Sequence, residues 1–122
     1  MKNKFMMLSI LLSLTVFSAT STFGANANTE QWKTTYKAGQ VIGLDVRNDS
    51  ELTKNPAPGA VHIPLNDVKT TATAKLANKD AEIFVFCEAG GRAEKAKKVL
   101  TDLGYKKVTN ISSWREWNEI RK

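Results

Sequence analysis

Cysteine is nearly absent from this 122-residue chain. Cys87 stands alone, so no disulfide can form within the chain. Histidine is as scarce, with His62 the only one. One Cys and one His fall short of the ligand set of a zinc site, and no metal or other cofactor is expected. Past Phe17 no apolar run approaches the ~20 residues that a membrane-spanning helix needs. Internal repeats, low-complexity tracts and linkers long enough to separate domains are missing as well. Acidic residues are outnumbered, 12 Asp and Glu against 18 Lys and Arg, for a net charge of +6. That excess is spread along the chain and by itself selects no class of partner.

What is present begins with a basic segment, Met1-Lys2-Asn3-Lys4. An apolar run from Phe5 to Phe17 follows, then small residues ending in Ala25-Asn26-Ala27. A basic head, an apolar stretch and a small-x-small site, in that order, read as a secretory signal peptide cleaved after Ala27. The apolar run is too short for a membrane anchor, and no Cys near the site could carry a lipid. Residues 1–27 are therefore assigned to the signal. Residues 28–122 form one domain in a secreted or periplasmic setting, where thiols usually pair. A lone Cys there reads first as a small buried hydrophobe. The residues around Cys87 argue for more.

Strand and helix patterns alternate after residue 40. Val41-Ile42-Gly43-Leu44-Asp45-Val46 reads as a short buried strand. Asn48-Asp49-Ser50 can cap a short helix through Leu52. Two prolines and a glycine make Asn55 to Gly59 a loop. Ala60 to Ile63 is a short extended piece, and Asn66 to Leu76 a helix weakened by its threonines. Ile83-Phe84-Val85-Phe86 is an unbroken apolar run, the pattern of a central strand buried on both faces. Arg92 to Leu103 carries Ala96, Val99, Leu100 and Leu103 at i, i+3, i+4 and i+7, one apolar helical stripe, and Gly104 closes it. Lys106 to Thr109 is another strand, and Trp114 to Arg121 a closing amphipathic helix. The fold class is α/β, with a small, mostly parallel sheet flanked by helices on both faces. In such sheets ligands sit beyond the carboxyl ends of the strands, and Cys87 ends the central one.

The segment Cys87-Glu88-Ala89-Gly90-Gly91-Arg92 joins that strand to a helix start. A turn of this kind aims backbone N–H groups at one point. The helix terminus adds partial positive charge and Arg92 a full one. Together they favour thiolate over thiol, the condition for a reactive Cys. Gly90 and Gly91 let the backbone curl tightly. Cys87 is the candidate nucleophile, with Glu88, Ala89, Gly90, Gly91 and Arg92 as the loop that binds its substrate. Glu88 has the opposite charge, and is expected to face solvent or to pair with Arg92. His62 is read as a loop residue rather than as a base for Cys87. Arg47 and Glu51 are expected to pair across the strand-to-helix turn, as structural residues with Asp45. Trp114 and Trp117 are expected to pack the terminal helix. The lysines at 95, 97, 98, 106 and 107 read as a solvated face.

Strand-Cys-x-x-Gly-x-Arg-helix resembles the active-site loop of rhodanese-type sulfurtransferases. Asp45-Val46-Arg47, Glu51 and Pro58-Gly59-Ala60-Val61-His62-Ile63-Pro64-Leu65 resemble that family's N-terminal signature. Gly104-Tyr105 followed by Val108 and Asn110 forms a third matching block. Size and export signal make the chain most similar to single-domain periplasmic rhodaneses of the phage-shock type. Two positions depart from the pattern: Asn55-Pro56-Ala57 replaces the usual Gly-His-Ile, and Ser112-Ser113 replaces a Gly-Gly near the end.

The resemblance implies transfer of sulfane sulfur through a Cys87 persulfide. The donor would be a small sulfur-containing anion such as thiosulfate, and the acceptor a thiol or cyanide. No nucleic acid and no lasting membrane anchor is implied, and the chain is expected to act as a monomer. Two alternatives remain open. A Cys-dependent phosphatase or arsenate reductase shares the Cys-loop-Arg logic, but phosphatases place five residues between Cys and Arg where this chain has four. A sulfur carrier or partner-binding domain without turnover is the other, since fold does not fix function.

Overall fold

The computed structural model describes residues 28–122, so the signal assigned to residues 1–27 lies outside the described residues. Helix α1 (Thr29–Thr35) leads into strand β1 (Val41–Asp45), helix α2 (Asp49–Lys54) and strand β2 (Val61–His62). A 3-10 turn at Leu65–Asp67 runs into helix α3 (Val68–Lys75). Strand β3 (Glu82–Cys87), helix α4 (Gly91–Asp102), strand β4 (Lys107–Ser113) and helix α5 (Trp114–Ile120) complete the chain. The four strands form one sheet in the order β2-β1-β3-β4. Every pairing is parallel, so the carboxyl ends of all four strands share one end of the sheet.

β3 is central and alternates between two cores. Ile83, Val85 and Cys87 point to one face, where Val68, Ala72 and Leu76 meet the α4 stripe of Ala93, Ala96 and Leu100. Phe84 and Phe86 point to the other, against Trp32, Ile111, Trp117 and Ile120. Helices thus cover both faces, as the sequence pattern predicts. Trp117 fixes the second core. Its ring stacks on Phe86, meets Tyr36 edge-on and donates its indole N–H to the Pro58 carbonyl at 3.0 Å. It lies so close to β1 that a Cβ on Gly43 would fall 2.5 Å from the ring. Gly43 is there because the indole occupies the place of its side chain.

Three elements differ from the sequence reading. α1 has no apolar stripe to announce it, and docks through Trp32 and a 2.6 Å bond from Thr29 Oγ1 to Glu116 of α5. β4 runs four residues beyond Thr109, with Ile111 buried and its polar neighbours Asn110, Ser112 and Ser113 half-buried. The expected Arg47–Glu51 pair does not form. Arg47 turns back to Asp45, which accepts from its Nε and Nη2 with both side chains fully buried, and a further donation to the Asn55 carbonyl holds the loop. Glu51 is half-buried, and its carboxylate closes a capping box on Asn48 at the α2 start.

Candidate active site

Cys87 ends β3 with 1% of its surface exposed. The chain then turns within three residues into α4, and Gly90 takes a φ of 101° at the turn. Only glycine adopts that region freely, so the tight curl rests on Gly90. Gly91 has ordinary helical backbone and open space where a Cβ would go. Its expected share in the curl is therefore not borne out. The turn delivers the Gly90 N–H to Cys87 Sγ at 3.0 Å. Sγ also lies 3.8 Å from the Ser112 carbonyl, to which a thiol can donate. The sulfur thus has a donor from its own loop and an acceptor from β4, and three residues separate Cys87 from the α4 start.

Arg92 opens α4, but its charge is already engaged. Both terminal nitrogens donate to the Glu51 carboxylate at 2.6 Å. That bond, first among the causes, holds Glu51 down to about 2, with the Asn48 N–H helping. The same partner raises Arg92, and the Cys87 sulfur adds a smaller contribution. Arg92 is thus within electrostatic reach of Cys87 while anchored to α2.

Glu88 does not pair with Arg92. Its carboxylate accepts from Trp114 Nε1 at 2.8 Å and from Arg115 Nη2 at 3.0 Å. These bonds, Trp114 first, lower its pKa. Two guanidinium groups approach the Trp114 ring, Arg47 at 5.4 Å and Arg115 at 4.5 Å from its centroid. Trp114 packs against the second core, as expected, and from its half-buried place also clamps the loop through Glu88. Ala89 is exposed at the tip.

His62 is turned elsewhere: Nε2 lies 2.6 Å from the Arg47 carbonyl and Nδ1 3.5 Å from Asp49. Among the described residues no cluster of three His, Cys, Asp or Glu could hold a metal, and no helix is long and apolar enough to cross a membrane. A groove of about 590 Å³ lies at the opposite end of the sheet, lined by Val41, Glu82 and Lys107.

Two residues that the sequence reading did not place at the site belong to it. Asn110 Nδ2 donates to the Gly90 carbonyl at 3.1 Å and to Glu94 at 2.9 Å, while its Oδ1 accepts from the Ser112 N–H at 2.9 Å. Ser112 has a left-handed φ of 75°. Its position in a glycine slot of the resembled pattern was the available signal.

A profile of the family described as Rhodanese-like domain matches residues 28–120. The thiosulfate sulfurtransferase PspE of Escherichia coli (strain K12) is 27% identical over 115 residues, 94% of this chain and 90% of that protein. A candidate sulfur carrier protein of Bacillus subtilis (strain 168), YrkF, is 40% identical over 75 residues. The match takes in 61% of this chain but only 40% of that protein's length. Among solved structures, a rhodanese with anions from E. coli aligns with a TM-score of 0.59 at 29% identity, covering 62% of this chain and 89% of the other.

Proposed function

The chain belongs to the rhodanese-like domain family, and on that premise we propose that it is an exported sulfurtransferase whose sulfur is carried by Cys87. The observation that carries the reading is the seat of Cys87. It ends the central parallel strand, accepts the Gly90 N–H at 3.0 Å, and is joined by a three-residue turn to the α4 amino terminus. That is a setting built to hold a sulfur anion.

The Cys87 thiolate attacks the outer sulfur of a donor such as thiosulfate. A new S–S bond forms, the donor's own S–S bond breaks, and sulfite leaves with its electron pair. An acceptor then attacks the outer sulfur of the Cys87 persulfide. Cyanide becomes thiocyanate, a thiol becomes a persulfide, and Cys87 departs as thiolate. This is covalent catalysis in two displacements. The loop amide and the helix terminus stabilise negative charge in both, and Arg92, bound to Glu51, adds to the local field without having to leave its partner.

Export rests on the order of the first 27 residues, with residues 28–122 as the working domain. Intact mass of protein recovered outside the cytoplasm should begin near Asn28; retention of Met1 there would remove export. Activity is tested by steady-state transfer from thiosulfate to cyanide and to a small thiol, for wild type and Cys87→Ser. Turnover that vanishes in the variant supports the reading, and undiminished turnover removes Cys87 from the mechanism. The similarity to a candidate sulfur carrier favours one second reading, a domain that loads sulfur on Cys87 and hands it to a protein partner. Rapid loading with negligible turnover on either small acceptor would select it.

A further inference from the structure

We infer that Asn110 and Ser112 are positioning residues for the Cys87 loop: from β4 they hold the two peptides on either side of Gly90 so that its N–H faces the sulfur. The inference rests on Cys87 being the sulfur-bearing residue. It begins with a mismatch in the sheet. Val85 pairs with Asn110, but Cys87 pairs with Ser113, so β4 carries one extra residue there. A bulge of this kind bends a strand and re-aims its groups. Here it forces Ser112 into the left-handed region, at φ 75°, which a serine adopts reluctantly.

The bulge points three groups at the loop. The Ser112 carbonyl faces Cys87 Sγ at 3.8 Å. Ser112 Oγ lies 3.5 Å from the Ala89 carbonyl, a long contact. Asn110 Nδ2 donates to the Gly90 carbonyl at 3.1 Å, and its Oδ1 takes the Ser112 N–H at 2.9 Å, fixing the bulge itself. Ser112 also backs Gly90 sterically, since a Cβ on Gly90 would fall 3.3 Å from Ser112 Oγ.

The chemical consequence follows from which peptide each contact holds. The Gly90 N–H and the Ala89 carbonyl are opposite ends of one peptide group. Turning that peptide over would withdraw the N–H from Sγ and aim a carbonyl at it. A turn with a left-handed glycine is the kind of backbone in which either orientation is sterically open. Ser112 restrains the Ala89 end, and Asn110 restrains the next peptide along. The restraint matters most once the sulfur is ionised. A thiol can donate to the Ser112 carbonyl, whereas a thiolate or persulfide anion cannot and depends on the Gly90 N–H.

The test compares Asn110→Ala and Ser112→Gly with wild type in the purified protein. Ser112→Gly suits the left-handed backbone and removes only the hydroxyl tether and its Cβ, so it folds even where Asn110→Ala does not. Alkylation of Cys87 by anionic iodoacetate and by neutral iodoacetamide is followed by intact mass at fixed pH and salt, beside persulfide formation from thiosulfate. Both variants should react more slowly with either alkylator. The slowing should reach up to about tenfold with both reagents in Asn110→Ala, the value of one hydrogen bond to a charged group, because the thiolate that attacks either reagent is less stabilised. Unchanged rates with both reagents in both variants would overturn the inference. So would faster alkylation in both, which marks a general loosening that exposes the buried sulfur. If wild type takes no sulfur from thiosulfate, the sulfurtransferase reading fails, and the alkylation rates still decide the role of Asn110 and Ser112.

Discussion

Glu51→Gln removes the charge that holds Arg92 while keeping the side chain's shape. In the native protein Glu51 accepts both Arg92 nitrogens at 2.6 Å and the Asn48 N–H at 2.9 Å. Its pKa falls from 4.5 to about 2. At about 1.36 kcal/mol per pH unit, that fall caps its contribution at about 3 kcal/mol. The two side chains are 29% and 31% exposed, so water and salt screen much of this, and about 1 kcal/mol is expected at pH 7. A carboxylate with a depressed folded pKa stabilises fully above its unfolded value and less as pH falls. The contribution should therefore be whole above about pH 4.5 and fade between 4.5 and about 2. Urea unfolding of wild type and Glu51→Gln across that range reads it directly. The wild-type advantage should be near 1 kcal/mol at pH 7 and close to zero near pH 2, within the linkage expected of one carboxylate. An advantage that stays constant down to about pH 2 would refute the charge argument, and no advantage at pH 7 would show that the pair contributes nothing to folding.

Gly43→Ala should lose about 2 kcal/mol or more in urea unfolding, because the new methyl would meet the Trp117 ring at 2.5 Å and that ring is held on three sides. A loss below about 0.5 kcal/mol would mean that the indole can move aside despite its bond to Pro58. Asp45→Asn leaves the fully buried Arg47 guanidinium without its counter-charge, and should cost about 3 kcal/mol or more in the same assay. Near-neutral behaviour would show that the Asn55 carbonyl and the Trp114 ring suffice to hold Arg47.

Much of the fold is legible from residue pattern alone, where one element's own residues decide its state. The apolar run Ile83 to Phe86 needs burial on both faces, and the stripe Ala96, Val99, Leu100, Leu103 needs burial on one. What is not legible depends on partners far along the chain. α1 has one large apolar residue, Trp32, and is stabilised by contacts with α5 that local sequence does not reveal. Arg47 has two acidic neighbours, Asp45 and Glu51, at distances that suit either. The choice is made by Arg92, 41 residues beyond Glu51, which claims that carboxylate. Glu88 likewise finds Trp114 and Arg115 only because the loop and the α5 start meet at one end of the sheet. The Cys87 loop itself reads clearly, since strand, glycine turn and helix start are local features. The backing of that loop by Asn110 and Ser112 does not, because it needs the bulge between β3 and β4.

The central claim is that Cys87 takes sulfur from a small donor and holds it. Intact-mass measurement of the protein after brief thiosulfate treatment, without reductant, tests this most directly. The account predicts a single addition of about 32 Da on wild type, as for one covalent sulfur on the nucleophile. The addition should be discharged by cyanide and missing from Cys87→Ser. A wild-type protein that gains no such mass, or a Cys87→Ser protein that gains it equally, would contradict the account.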